Sequence, residues 1–402
     1  AQETYPGSSL PLALTPAVRS YSTTVIDPAT TLTLTLPGDV NAGSPAAAQV
    51  KVTKNFPLPP PTGSVRISSG QNETYTYCEA DLDENGTAEC NLYFAQPGQQ
   101  VVTAAYAGDD YSLPSTATGQ ITVNEVEIAP AIGAGDDFSC SIDADGHVSC
   151  WGDFKSPQIP IPASGIFDQL DLGKDHACAL GLNRMVTCWG YDGYGKASPP
   201  NITGITKVTA GNHHSCALTD RGRIACWGWD AGNRTNATTP PSGYYIDIDA
   251  GADHTCAVVS DGSVKCWGVS DNGRTSVPSD LLSRGKVTQV SAGGTFTCAL
   301  HENGSIECWG GNGVIDSIRS EPTGVFTKVS AGEDFACGLK SDGSVTCWGN
   351  LSGAPEGAFT RIAAGFDHAC GIQTNGMLQC WGDNDRGQAP AIAITPDSLP
   401  VI

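Results

Sequence analysis

The chain has 402 residues, with 42 Asp and Glu against 21 Lys and Arg, for a formal net charge of -21. No Lys/Arg cluster appears anywhere, which excludes a nucleic-acid surface, and a hydrophobic share of 40% excludes a disordered chain. No run of 18 apolar residues occurs, so no membrane span is expected. The length predicts two domains, and 48 Gly with 26 Pro predict many short strands joined by turns. The acidity reads first as a solubility device, with cation or basic-partner binding as the alternative.

Residues 1–28 form a polar, Pro-containing arm in which Leu10, Leu12 and Leu14 alternate with other residues. The bland reading is a frayed terminus. The sharper one is a strand lent to a neighbouring subunit, with the three leucines on one face. From 29 to 127, alternating runs such as Leu32-Thr33-Leu34-Thr35-Leu36 and Val101-Val102-Thr103-Ala104-Ala105-Tyr106 lie between Pro, Gly and Asn, which predicts a β-sandwich. Gly86-Thr87-Ala88 followed by Tyr106-Ala107-Gly108-Asp109-Asp110-Tyr111 resembles bacterial Ig-like repeat domains. That resemblance implies a spacer or adhesive stalk on an exported protein.

Residues 128–402 repeat one pattern seven times: Ala-Gly, a polar or aromatic pair, Cys, nine residues, then Cys-Trp-Gly. The second cysteines are Cys150, Cys188, Cys226, Cys266, Cys308, Cys347 and Cys380, spaced by 38, 38, 40, 42, 39 and 33 residues. A period near 40 means one supersecondary unit stacked on itself, since a single copy cannot bury its own apolar face.

All sixteen cysteines fall into local pairs. These are Cys78 with Cys90, Cys140 with Cys150, Cys178 with Cys188, Cys216 with Cys226, Cys256 with Cys266, Cys298 with Cys308, Cys337 with Cys347, and Cys370 with Cys380. None has the short knuckle spacing of zinc ligands, so each pair is expected to be a disulfide within its own hairpin. Neither metal nor cofactor is expected. Persistent disulfides place the chain outside the cytoplasm, at the cell surface or beyond, and Ala1 reads as the start of a mature product exported through a removed signal. Seven Asn-x-Ser/Thr triplets fit that setting weakly.

If Cys256 and Cys266 face each other, Val259 pairs with Ser263 around the loop Ser260-Asp261-Gly262. Such three-residue loops want a left-handed third residue, usually Gly. Gly146, Gly222, Gly262, Gly304, Gly343 and Gly376 occupy that place, but the second copy has Arg184, so its turn is expected to be strained or rearranged. Each Trp after the second Cys points to the opposite sheet face and is read as packing between neighbouring sheets. Two residues before the first Cys stand Phe138, His176, His214, His254, Phe296, Phe335 and His368, which suggests a requirement for a planar ring, not a proton or metal ligand. A further strand-like run precedes each hairpin, as in Ile205-Thr206-Lys207-Val208-Thr209-Ala210, so each repeat supplies at least three strands. Seven such sheets set radially make a β-propeller. The tail Ala391-Ile392-Ala393-Ile394 could pair with the first blade and close the ring.

The pattern from Ala250 to Gly268, and Trp381-Gly382-Asp383-Asn384-Asp385-Arg386-Gly387-Gln388, resemble the regulator-of-chromosome-condensation repeat, especially its secreted bacterial members. The resemblance implies a seven-bladed propeller that uses one face for protein contacts, so binding is favoured over catalysis. Fold analogy goes no further.

No nucleophile with a base, no His-Glu-x-x-His and no phosphate loop occurs, so an enzyme is not expected. Three residues before the first Cys lie Asp137, Asp175, His213, Asp253, Asp334 and Asp367, with Thr295 completing the series. Repeat symmetry would gather them near one propeller mouth. Each Asp would either cap its own turn or contribute to a cation or basic-ligand site. The sequence therefore predicts an all-β, non-enzymatic extracellular structural or adhesive protein, polymerising head to tail through its arm. The alternative is a soluble recognition module, an inhibitor or carbohydrate binder, using one propeller face. The partner is a second copy of the chain in the first case, and another extracellular protein or a glycan in the second.

Overall fold

Alternating burial builds the first domain from eight strands: β1 (Thr30–Thr35), β2 (Val40–Asn41), β3 (Pro45–Lys54), β4 (Ser64–Ser69), β5 (Thr76–Asp81), β6 (Thr87–Tyr93), β7 (Gly98–Tyr106) and β8 (Ser115–Asn124). These come from a computed structural model that describes residues 29–54, 59–70, 75–153, 160–162, 164–229, 238–311, 322–351 and 353–390. The arm with Leu10, Leu12 and Leu14, and the tail 391–394, lie outside the described residues. One sheet runs β1-β3-β6 and the other β2-β8-β7-β4-β5, antiparallel except where β2 meets β8. Period-two alternation turns Val50, Val52, Val65, Ile67, Val102 and Ala104 inward, each at most 1% exposed.

The Cys78–Cys90 disulfide forms, but not within a hairpin ladder, which corrects the expectation for this pair. Cys78 lies on β5 in the five-stranded sheet and Cys90 on β6 in the three-stranded one, so the bridge ties the two sheets together. The reason is that the chain changes sheets between Asp81 and Thr87.

Seven three-stranded antiparallel sheets follow. Their inner strands are Ala131–Ala134, Phe167–Leu172, Ile205–Ala210, Tyr245–Ala250, Val287–Ala292, Phe326–Ala331 and Phe359–Ala364. Each leads into a hairpin whose facing cysteines are bridged. Cys140 joins Cys150, Cys178 joins Cys188, Cys216 joins Cys226 and Cys256 joins Cys266. Cys298 joins Cys308, Cys337 joins Cys347 and Cys370 joins Cys380. Their Cα atoms stand 3.9 to 4.1 Å apart. The first cysteine of every blade pair is buried on the middle strand. The second lies on the outer strand, where Cys150, Cys188 and Cys380 are buried but Cys226, Cys266, Cys308 and Cys347 are only half-buried.

In the fourth blade Val259 N–H donates to Ser263 O at 2.7 Å, and Gly262 has φ +91°, so register and turn are as the spacing predicts. In the second blade Arg184 itself adopts φ +58°. The turn keeps its shape, at the strain cost that a side chain brings to this region.

Blade-to-blade packing repeats one arrangement. Each Cys-Trp-Gly tryptophan leans on the disulfide region of the preceding blade: Trp227 joins Cys178 and Cys188, and Trp267 joins Cys216. The buried histidines follow a pairing rule. Nε2 of His176, His214, His254 and His368 lies 2.7, 2.7, 2.9 and 2.8 Å from the hydroxyl of Ser215, Thr255, Thr297 and Ser139 in the next blade. Where the ring is Phe138, Phe296 or Phe335, the equivalent residue of the next blade is Ala177, Ala336 or Ala369. A buried imidazole needs a partner and a phenyl ring does not, so the two positions change together.

Among the described residues, blade 1 meets blade 7 directly. Trp151 of blade 1 packs against Cys370 and Cys380 of blade 7 and donates Nε1–H to Gln388 O at 3.0 Å, and Phe366 N–H donates to Gly135 O at 2.9 Å. The sandwich docks on the hairpin-turn side of blades 2 and 3. Tyr93 Oη donates to Asp220 Oδ2 at 2.7 Å, and one apolar cluster runs from Ala42 and Phe94 to Leu182. No helix among the described residues is long and apolar enough to cross a membrane.

Candidate functional site: the propeller face away from the sandwich

An inner propeller strand is a sheet edge, and its unpaired N–H groups need acceptors. Here the third and fifth residues of one inner strand supply them to the next. Asp171 Oδ2 accepts from Ala210 N–H at 2.8 Å, Thr209 Oγ1 from Ala250 N–H at 2.9 Å, and Asp249 Oδ2 from Ala292 N–H at 2.7 Å. Ser291 and Ser330 repeat the bond at 2.9 Å to Ala331 and Ala364. These side chains line the central channel. Burial, and then the nearby Asp249 carboxylate, push Asp171 up to about 7.

The six predicted rim residues stand one position beyond the channel wall, at the end remote from the sandwich. Their backbones hold the ends of the hairpins. The carbonyl of Asp137 accepts from Asp153 N–H at 2.8 Å, and Asp175, His213, Asp253, Asp334 and Asp367 accept in the same way. Their side chains do not form one uniform ring. Asp175 pairs with Lys196, and His213 Nδ1 lies 2.8 Å from Asp253 Oδ1, a bond that holds the Asp253 carboxyl below its ordinary range. Burial, followed by repulsion from Asp383, Asp334 and Asp137, raises Asp367. The pairing partners of Asp175 and Asp253 are therefore side chains, not their own turns.

Around the His213–Asp253 pair the structure gathers residues that the repeat pattern left unremarked. Trp229 is the single tryptophan outside Cys-Trp-Gly. Its ring lies 5.1 Å from that of His213 at 61° and 5.6 Å from that of Tyr194. Tyr194 is 70% exposed and sits at φ +68°, in a turn tied down by Asp192, whose carboxylate accepts from Ala197 N–H at 2.8 Å and Ser198 Oγ at 2.7 Å. Lys196 Nζ, already bound to Asp175, donates to Asn212 O at 2.9 Å and lies 5.2 Å from the Tyr191 ring centroid. Blades 2 to 4 thus present aromatic faces beside a hydrogen-bonded His–Asp pair and a Lys–Asp pair. An exposed Tyr held rigid against a half-buried Trp in this way gives much contact area at little entropic cost. The available sequence signal was the position of Trp229, directly after a repeat's Gly228.

The Tyr194 turn also supports packing. Lys196 O accepts from Trp227 Nε1–H at 2.9 Å and Ser215 Oγ at 3.0 Å; Arg274 O and Gln388 O serve Trp309 and Trp151 likewise. At the tip of the first hairpin, Asp143, Asp145 and His147 come within 4.8 Å of one another. Asp143 Oδ1 there accepts from the N–H groups of Asp145 and His147 at 3.0 and 2.8 Å, a local turn role that in blade 4 falls to Asp261, at the position of Asp145, which accepts from Ser263 N–H at 2.9 Å.

A family model for the regulator of chromosome condensation (RCC1) repeat matches residues 131–156, 205–233, 245–274, 287–314, 326–350 and 359–388. The second blade, with Arg184 in its turn, is the one left unmatched. A model for the bacterial Ig-like domain (group 3) matches 32–124. Among solved structures, the chain is similar to the CRINKLY WD40 ectodomain of the Arabidopsis thaliana receptor kinase ACR4, at 26% identity and TM-score 0.53 over 66% of this chain and 99% of that one. It is also similar in fold to human WBSCR16, at 16% identity and TM-score 0.50 over 78% of this chain and 100% of that one. Comparison with curated proteins gave no significant match.

Proposed function

We propose, from the premise that this chain is a propeller of regulator-of-chromosome-condensation repeats behind a bacterial Ig-like domain, that it is a non-enzymatic extracellular binding protein. Its recognition surface is the propeller face opposite the sandwich, centred on Trp229, Tyr194 and the His213–Asp253 pair. One observation carries this reading: Tyr194 is 70% exposed in a left-handed conformation, yet its ring rests on Trp229. Strain of that kind, held by a well-bonded turn, is characteristic of functional surfaces. The disulfide in every blade supports an oxidising setting, and the Ig-like domain would hold the binding face away from the surface that carries it.

The test places a photo-crosslinker at Tyr194 and, separately, at Tyr111, which is 61% exposed on the sandwich. Extracellular partners should be captured from Tyr194, and Trp229→Ala should abolish capture. Equal labelling from both positions, or capture indifferent to Trp229→Ala, would sink the reading. Head-to-tail assembly through Leu10, Leu12 and Leu14 remains a second proposal; it is supported by the position of β1, an edge strand directly after the arm. It requires that removing residues 1–24 stop polymerisation.

A further inference from the structure

The channel opens at its other end, beside the sandwich, into a mouth of about 590 Å³ lined by four cations and two carboxylates: Lys207, Lys328, Arg361 and Arg184 with Asp168 and Asp247. Both carboxylates are taken. Lys207 Nζ holds Asp247 Oδ1 at 2.6 Å and Arg184 Nη1 holds Asp168 Oδ2 at 2.8 Å. Lys328 and Arg361 remain, and no ion pair or side-chain hydrogen bond among the described residues engages either. Burial, followed by repulsion from Arg361 and Lys207, pushes Lys328 below its ordinary value. In a chain of net charge -21, two neighbouring cations without an ion-pair partner that face one cavity differ from an ordinary solvated surface charge.

The same positions interrupt the edge-capping rule of the inner strands. Where the third residue is Gln289 or Asp247, its oxygen accepts the next blade's N–H, from Val329 at 3.2 Å and Val290 at 2.9 Å. Lys207, Lys328 and Arg361 occupy that third position in their own blades and carry no acceptor. The equivalent N–H groups of Ile248, Ile362 and Ile132 therefore receive no cap from them. At this opening cations thus stand where the other blades place acceptors, a composition that suits an oxyanion.

We propose that this mouth binds a divalent oxyanion, a sulfate or phosphate group, between Lys328 and Arg361. The group is either the free ion or the charged end of a larger ligand, and its oxygens would face the two side-chain cations that the pairings of Asp168 and Asp247 leave without an ion-pair partner. This site is independent of the recognition face at the other end of the channel.

Isothermal titration of the full chain at low ionic strength and pH 7.5 tests it, using sodium sulfate, sodium phosphate and glucose 6-phosphate against sodium chloride of matched ionic strength. Saturable binding of the divalent anions is expected, with affinity falling roughly tenfold in Lys328→Gln and again in Arg361→Gln. Tighter binding of the phosphate ester than of the free ions would identify the end of a larger ligand, and equal binding a free anion. Wild-type protein showing no heat beyond the chloride control overturns the proposal without any variant. So does unchanged affinity in both variants when circular dichroism shows them folded.

Discussion

Arg184 reaches from the turn of blade 2 to the carbonyl of Gly43 in the sandwich, with Nε at 3.2 Å and Nη2 at 3.1 Å, while Nη1 holds Asp168 at 2.8 Å. The other six turns have Gly at this position. Here the chain accepts a left-handed Arg, φ +58°, and gains a clamp between its two domains. A left-handed side chain costs on the order of 1 kcal/mol, and hydrogen bonds from a charged donor return about 1.5–3.

Arg184→Gly should therefore relax the turn while loosening the sandwich. Calorimetry of the full chain is expected to show a propeller transition unchanged or slightly raised, and a sandwich transition that separates from it. A single unaltered transition would show that the clamp does not couple the domains.

The buried histidines make stability depend on acid. Burial, with repulsion from Arg274 and His214, lowers His254 from 6.5 to about 3, and burial lowers His368 to about 4. Between those values and 6.5 the unfolded chain binds more protons, so stability falls as pH drops through that window. Asp171 and Glu333, both raised to about 7 by burial first, act in the opposite sense, because there the folded state binds more protons. The double substitution His254→Phe with Thr297→Ala reproduces the Phe296–Ala336 combination of blade 5. It should flatten the loss of stability between pH 6.5 and about 3 relative to wild type, as followed by urea midpoints. An identical pH profile would refute the assignment.

Two tryptophans should behave differently on truncation. Trp309 is 6% exposed and packs on the preceding blade with Nε1 bonded to Arg274 O at 3.1 Å. Trp309→Ala is expected to cost about 3–5 kcal/mol in denaturant melts. Trp229→Ala lies outside the repeat's packing and should cost less than about 1 kcal/mol while removing partner capture. A large stability loss in Trp229→Ala would make it a packing residue.

Removing one blade disulfide through Cys256→Ala with Cys266→Ala should cost about 2–3 kcal/mol, the loop-closure entropy of a short loop. Non-reducing peptide mapping of the wild-type chain should return every blade pair intact, Cys140 with Cys150 through Cys370 with Cys380. A bridge between two blades would contradict the hairpin register.

The local features of each blade were legible in the sequence. Val259 to Ser263, the Gly262 turn and the Cys256–Cys266 bridge all lie within eleven residues, where spacing and turn chemistry leave one register. The preference for a planar ring at the His and Phe positions was equally visible, but its cause was not, because the hydroxyl that decides between the two rings sits in the next blade.

Sequence by itself determined the seven hairpins, their disulfides and the sandwich pattern, since turn type, strand alternation and cysteine spacing are short-range constraints. Tertiary structure decided which residues meet across blades: Trp229 with Tyr194, His213 with Asp253, and Lys328 beside Arg361. It also carried Cys90 to the sheet opposite Cys78. The physical reason is that the rotation from blade to blade, or the crossing from sheet to sheet, sets these contacts. A repeat fixes that geometry only when its copies pack around a common axis.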